Sequence, residues 1–408
     1  MASASGCAGT GAAAATLPPA PATVVEEPAV LTTSTGEIHG TLELPAARFP
    51  VPVVLIIAGS GPTDRNGNSP VFAGPNNSLK MLADGLAGRG IASLRYDKRG
   101  IAASRSAASS EAELRFDHFI DDAAAGVRKL RADPRFSTVT IAGHSEGSLI
   151  GMVAARQAGA HGYVSIAGAG RKPSQVISEQ LSAQLPPAVV AQAGEVMRKI
   201  EAGEKPDSVP PMLNALFRPS VQPYLISWFA VSPVAEIARL DIPVLILQGT
   251  TDLQVAEKDA RALAGAKAGS RLSLIEGMNH VLKPASGPIA EQIKSYGDST
   301  IAIVPQVVDE IASFVRSIHR RQSSAFGIDK LKHFLMAGYV ESVAYAGMQA
   351  AGADREVSLA TALGAVGVAS VGKEIHDRRS GQGFSLLDLV WDALGAGAAW
   401  LILAKTQR

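Results

Sequence analysis

The sequence predicts a doubly wound, mostly parallel α/β sheet with a helical cap, followed by a separate apolar helical domain. Three observations carry this. Short apolar runs of strand length recur without polar alternation and are separated by helical patterns, as in strands covered on both faces. The strand signal then stops between about 171 and 240, an interval too long for an ordinary connection inside such a sheet. Beyond Asp329 the composition turns to Ala, Gly and apolar residues. At 408 residues, a large domain over 27–321 and a smaller one over 327–408 are expected.

Residues 1–26 read as a leader and linker of Ala, Pro and Thr with no apolar period. Within it, Ala4, Ser5 and Gly6 precede Cys7, and this stretch resembles the lipobox of bacterial lipoproteins, in which the cysteine becomes acylated. Only six residues precede Cys7, so the resemblance implies that Met1 lies inside a longer signal peptide. Cys7 is the single cysteine, which excludes an intramolecular disulfide and a cysteine metal cluster.

The elements follow in order. "AVLTTSTGEIHGTLELPA" alternates about a Thr-Gly turn and predicts an antiparallel hairpin. "VPVVLIIAG", "IASLRY", "TVTIAG", "GYVSIAG", "IPVLILQG" and "RLSLIEG" predict sheet strands. The stretch 171–240, punctuated by Pro186, Pro187, Pro206, Pro210 and Pro211, predicts a helical cap. "IVPQVVDEIASFVRSIHR" predicts the last helix of the sheet domain, ending near Arg321.

The chemistry starts at "GHSEGS". Gly143 and Gly147 flank Ser145 between a strand and a helix, the pattern of a nucleophile elbow too sharp for larger neighbours. Such an elbow requires an acid and then a histidine, each just past a strand. Asp252 follows "IPVLILQG" and His280 follows "RLSLIEG", in that order. A hydroxyl is a poor nucleophile near neutral pH. His280 is expected to take the Ser145 proton and Asp252 to fix the imidazole tautomer and stabilise the imidazolium. An oxyanion would be held by two backbone N–H groups, those of Glu146 and of Ser60 in "AGSGPTDRNGN". Asp97, Lys98 and Arg99 of "YDKRG" are expected to brace the loops around the elbow. Asp64 and Arg65 are expected to form an ion pair, and His144 to pack and hydrogen-bond.

"AGSGPTDRNGN", "RYDKRGIAAS", "GHSEGS", "QGTTDLQV" and "MNHVLK", in this order and with a cap, resemble the bacterial serine esterases of the α/β-hydrolase superfamily over about 27–320. The resemblance implies hydrolysis of small-molecule or lipid carboxylic esters through an acyl-serine, with no cofactor. The same triad also serves serine peptidases and amidases. A third reading keeps the hydrolase as a scaffold for an envelope interaction protein. A net charge of +1 without a basic stripe excludes nucleic acid as the expected partner.

The C-terminal stretches "FLMAGYVESVAYAGMQAAGA", "VSLATALGAVGVASVGKE" and "LLDLVWDALGAGAAWLILAK" are near the length of a membrane span but are interrupted by charges. Gly364, Gly367, Gly395 and Gly397 predict close helix packing in or on a bilayer; a soluble helical hairpin is the alternative. Asp329 with His333, Glu374 with Asp377, and Asp388 with Asp392 share helix faces by spacing. These residues either hold a divalent metal or serve as caps and interhelical hydrogen bonds. "DKLKHF", "GKEIHDRRSGQGFS" and "SLLDLVWDALGA" resemble the YfiM-type family of small bacterial lipoproteins over 327–405, a family that implies no activity here. The expected location is the periplasmic side of a bacterial envelope, on a membrane.

Overall fold

A computed structural model describes residues 24–323, 328–379 and 385–405. Ala4, Ser5, Gly6 and Cys7 lie outside the described residues, as do the side chains of Asp329 and Asp377.

The chain runs β1 (Val25–Thr33), β2 (Gly36–Leu44), β3 (Val51–Ile57), α1 (Ser78–Ala87), β4 (Ala92–Tyr96), α2 (Phe116–Ala132), β5 (Phe136–His144), α3 (Glu146–Ala158) and β6 (Gly162–Ile166). The cap helices follow: α4 (Pro173–Ser182), α5 (Pro187–Glu201), α6 (Asn214–Phe217), α7 (Gln222–Phe229) and α8 (Pro233–Ala238). Then come β7 (Val244–Gly249), α9 (Glu257–Ala266), β8 (Arg271–Ile275), α10 (Ile289–Lys294) and α11 (Pro305–Ser323). The C-terminal helices are α12 (Ile328–Ala350), α13 (Arg355–Arg379) and α14 (Leu386–Lys405).

The eight strands form one sheet in the order β1-β2-β4-β3-β5-β6-β7-β8. β1, β2 and β4 pair antiparallel, and every pairing from β4 through β8 is parallel. The hairpin turn requires Gly36, whose φ of 145° is closed to most side chains. All of β3 is buried, and its alternate residues serve two cores. Val53, Leu55 and Ile57 pack with α2 and α3, while Val54 and Ile56 pack with α1 and α11. Each such side chain contributes about 1.5–3 kcal/mol on burial, which is why continuous apolar runs mark these strands.

The connection leaving β3 goes to β4 on one side, and that leaving β5 goes to β6 on the other. The crevice between the carboxyl ends of β3 and β5 is therefore the topological switch point, where ligands of open α/β sheets bind. The elbow and the loop "AGSGPTDRNGN" both open there.

The prolines of the cap begin helices rather than only ending them. Pro173, Pro187 and Pro233 each open a helix, where the ring's fixed φ suits the first turn and its missing N–H costs nothing. The cap has its own core of Leu181, Met197, Ile200, Phe217, Leu225 and Phe229.

Helices α12 to α14 are inverted with respect to the sheet domain. Leu335, Tyr339, Val368, Leu386 and Ile402 face outward, Val368 at 77% exposure. Glu341, Glu374 and Asp392 are buried. The glycine expectation needs correcting. A Cβ on Gly395 would run into the Phe334 carbonyl of α12, so this glycine lets α12 and α14 touch, but Gly364, Gly367 and Gly397 have nothing within 4 Å of a Cβ. Spacing alone does not say which face of a helix meets a neighbour.

Candidate active site

Ser145 sits between β5 and α3 with φ 55° and ψ −120°, outside the regions an L-residue ordinarily adopts. Neighbouring backbone holds it there: its N–H donates to the Ile166 carbonyl at 2.9 Å, and its own carbonyl accepts from Ser148 N–H at 3.0 Å. The two glycines are explained by contact. A Cβ on Gly147 would stand 2.5 Å from the Ile57 carbonyl oxygen, and one on Gly143 would collide with the Gly147 carbonyl. Ser145 is partly exposed although its neighbours on β5 and the start of α3 are buried.

His280 and Asp252 meet from the loops after β8 and β7. His280 Nδ1 donates to Asp252 Oδ2 at 2.8 Å, so Nε2 is the ring nitrogen not engaged by the acid. Asp252 is fixed in turn: Oδ1 accepts from the N–H groups of Gln254 (2.7 Å) and Val255 (3.0 Å), and Oδ2 accepts from Gln248 Nε2 at 3.1 Å. Burial disfavours this carboxylate, yet the His280 charge and hydrogen bond and the two amides outweigh it and hold the carboxyl below its ordinary range.

The residue before the serine packs on the base. The His144 and His280 rings stand 4.8 Å apart, and His144 Nε2 donates to the His280 carbonyl at 2.7 Å. Burial, reinforced by the His280 charge, pushes His144 down to about 4, so it stays neutral. Asn279 organises the same turn, its Oδ1 accepting from the N–H groups of Val281 (3.1 Å) and Lys283 (3.0 Å). An ordered acid, histidine and elbow serine now stand at the carboxyl ends of a sheet with this strand order.

The fold is that of the α/β-hydrolases.

Comparison with known proteins gives the following similarities. Residues 76–212 match the family described as "Serine aminopeptidase, S33", a span that contains Ser145 but ends before Asp252 and His280. Esterase EstD of Thermotoga maritima is 28% identical over 285 residues, 68% of this chain and 65% of that protein. The chain thus spans slightly less than two thirds of that curated relative's length. Est1E from Butyrivibrio proteoclasticus, solved with ferulic acid, aligns with a TM-score of 0.48 at 15% identity, over 72% of this chain and 98% of its own. A thermophilic esterase from Thermogutta terrifontis, solved with malate, gives 0.44 at 17%, over 72% and 99%.

The candidate oxyanion donors lie on the two sides of the switch point of this hydrolase fold. Glu146 is the first residue of α3, so its N–H has no acceptor inside the helix. Ser60 follows Gly59 after β3 and is exposed. A Cβ on Gly59 would lie 3.1 Å from Ser145 Cβ, which shows how closely this loop passes the serine.

A buried strut joins the two sides. Lys98 Nζ donates to the Gly59 carbonyl at 2.6 Å and to Glu146 Oε2 at 2.8 Å, and Phe119 packs beneath the ammonium. Tyr224, from cap helix α7, donates its hydroxyl to Glu146 Oε1. Burial and the Glu146 charge raise the Tyr224 phenol well above its ordinary value, so it remains a donor.

The expected bracing role of "YDKRG" is seen, with one partner changed. Arg65 pairs with Asp97 at 2.7 Å rather than with Asp64. Asp64 instead accepts from the N–H groups of Asn66 (2.8 Å) and Asn68 (2.9 Å), closing a turn in its own loop. Arg99 pairs with Asp122 of α2. Sequence reasoning did not find Gln248, Asn279 or Tyr224 near the site, nor the fixed role of the Glu146 side chain.

Among the C-terminal candidates, His333, Glu374, Asp388 and Asp392 come together from three helices. His333 Nδ1 donates to Asp392 Oδ1 at 2.9 Å, and one ligand atom each of His333, Glu374 and Asp388 lies within 4.8 Å of the others.

Proposed function

We propose that this chain is a serine hydrolase of carboxylic esters held at a membrane by α12–α14. The observation that carries the chemistry is the hydrogen bond from His280 to Asp252, with His280 packed on the residue that precedes the strained elbow serine. Ser145 Oγ attacks the ester carbonyl carbon while its proton passes to His280 Nε2. The tetrahedral oxyanion is held by the N–H groups of Ser60 and Glu146. The carbon–oxygen bond to the alcohol then breaks, and His280 returns the proton to the departing oxygen. Water, deprotonated by His280, attacks the acyl-serine; the bond to Ser145 Oγ breaks, His280 returns the proton to Oγ, and the acid is released. The steps use the chain's own groups and water. The likeness to Esterase EstD supports the ester reading.

A peptidase or amidase reading rests on the match over 76–212. A panel of short-chain p-nitrophenyl esters run beside aminoacyl anilides separates the two. Ester turnover lost in Ser145→Ala with no anilide turnover is expected, and the reverse preference would assign the amide.

The membrane reading is supported by the inverted C-terminal helices, with apolar side chains outward and acids inward. At about 1.5 Å per residue, each helix is long enough to cross a hydrocarbon core of about 30 Å. Among the described residues α14 is the one helix that is both long and apolar enough by composition, with mean hydropathy 1.6. Together with the lipobox-like stretch at Cys7, this favours the bacterial envelope and ester substrates that reach a bilayer surface.

A further inference from the structure

We propose that His333, Glu374 and Asp388 form a binding site for one divalent transition-metal ion at one end of the C-terminal bundle, separate from the hydrolase site. The start of α12, the end of α13 and the start of α14 converge here, so the ligands come from all three helices.

Three features of the cluster fit an ion. His333 is oriented as metal-binding histidines are: Nδ1 donates to Asp392, which fixes the ring and turns Nε2 toward Asp388. His333 Nε2 and Asp388 Oδ2 stand 3.6 Å apart, too far for a hydrogen bond. That is close to the roughly 3.3 Å separating two ligands on a tetrahedral ion with bonds of about 2.0–2.1 Å. Lys330 occupies the other oxygen of Asp388, so Oδ2 is the one left for an ion.

The independent observation is Glu374. Its side chain is 1% exposed, its Oε2 accepts from Ser385 N–H at 2.7 Å, and its Oε1 has no hydrogen-bond partner. The half-exposed Lys373 ammonium forms a long ion pair with Oε1 at 3.7 Å and no hydrogen bond. A buried carboxylate oxygen with no hydrogen bond and only this long ion pair costs free energy, which a bound metal ion would relieve. The three ligand atoms already lie within 4.8 Å of one another, so a small side-chain rotation brings them to bonding distance. One imidazole and two carboxylates suit a borderline ion such as Zn²⁺, with water in the remaining position.

The test uses the full chain, purified in detergent without a histidine tag, stripped with chelator and titrated with Zn²⁺ against a chromophoric competitor. One Zn²⁺ per chain is expected. Asp392→Asn should weaken binding about 10- to 100-fold through loss of His333 orientation, Glu374→Gln by at least as much, and Glu341→Gln not at all. Helix content by circular dichroism shows that each variant is folded. X-ray absorption of the Zn²⁺-loaded natural chain should show one imidazole among oxygen ligands, which keeps the proposal testable if a variant fails to fold. Equal Zn²⁺ affinity in the natural and Glu374→Gln chains, no stoichiometric binding, or a first shell without imidazole would overturn it.

Discussion

Replacing Lys98 by Met removes the ammonium that donates both to the Gly59 carbonyl at 2.6 Å and to Glu146 Oε2 at 2.8 Å. The carboxylate left behind has a side chain only 2% exposed, with the Tyr224 hydroxyl on its other oxygen. Stranding one member of a buried ion pair costs about 3–5 kcal/mol, so the urea midpoint should fall accordingly. The change also releases the loop that carries Ser60. Removing an oxyanion donor outright lowers kcat about 10²- to 10³-fold; a donor that is only loosened should cost about 10- to 100-fold on p-nitrophenyl acetate. Glu146→Gln alone strands the cation instead and should destabilise comparably. In the Lys98→Met, Glu146→Gln double variant neither member of this pair is left as an unpaired charge, so stability should return toward that of the natural chain while kcat stays low. Stability losses that simply add, to within about 0.5 kcal/mol, would show that the two groups are not coupled and refute the strut.

Other expectations follow from the same geometry. Asp252→Asn should lower kcat by about 10⁴-fold with little change in fold, since an amide there favours the wrong His280 tautomer; ester kinetics beside a circular dichroism spectrum check it. Burial pushes both His144 and His161 down to about 4, so the unfolded chain binds more protons than the folded one below pH 6.5. The contribution of these two histidines should therefore fall as pH drops from 6.5 toward 4 and level off below, by up to about 3 kcal/mol each. His161→Gln should flatten part of that slope in urea titrations at several pH values. Residues 24–321 expressed alone should fractionate as soluble active enzyme while the full chain sediments with membranes; an inactive or insoluble fragment would mean that α12–α14 complete the hydrolase core.

The strands of the sheet were legible because β3, β5, β6 and β7 are buried almost throughout, so both of their faces favour apolar side chains. The order of Ser145, Asp252 and His280 was legible because each follows a strand end that punctuates the sequence. What was hidden depends on contacts between distant parts of the chain. Tyr224 lies 78 residues from Glu146, and nothing local marks it as the cap's link to the elbow. Asp64 and Arg65 misled through adjacency: an Asp beside an Arg reads as a pair, but the Asp turns into its own loop and the Arg reaches 32 residues on to Asp97. The C-terminal acids were visible as faces of helices, whereas which faces converge required the packing of all three.

Covalent trapping decides whether Ser145 is the nucleophile. The full chain is treated with a reactive alkyl fluorophosphonate, digested, and its peptides analysed by mass spectrometry. One adduct per chain on the peptide carrying Ser145 is expected, in step with loss of ester hydrolysis, with no adduct in Ser145→Ala and slow labelling in His280→Gln. A label on another residue, or ester turnover that survives in folded Ser145→Ala, would contradict the account.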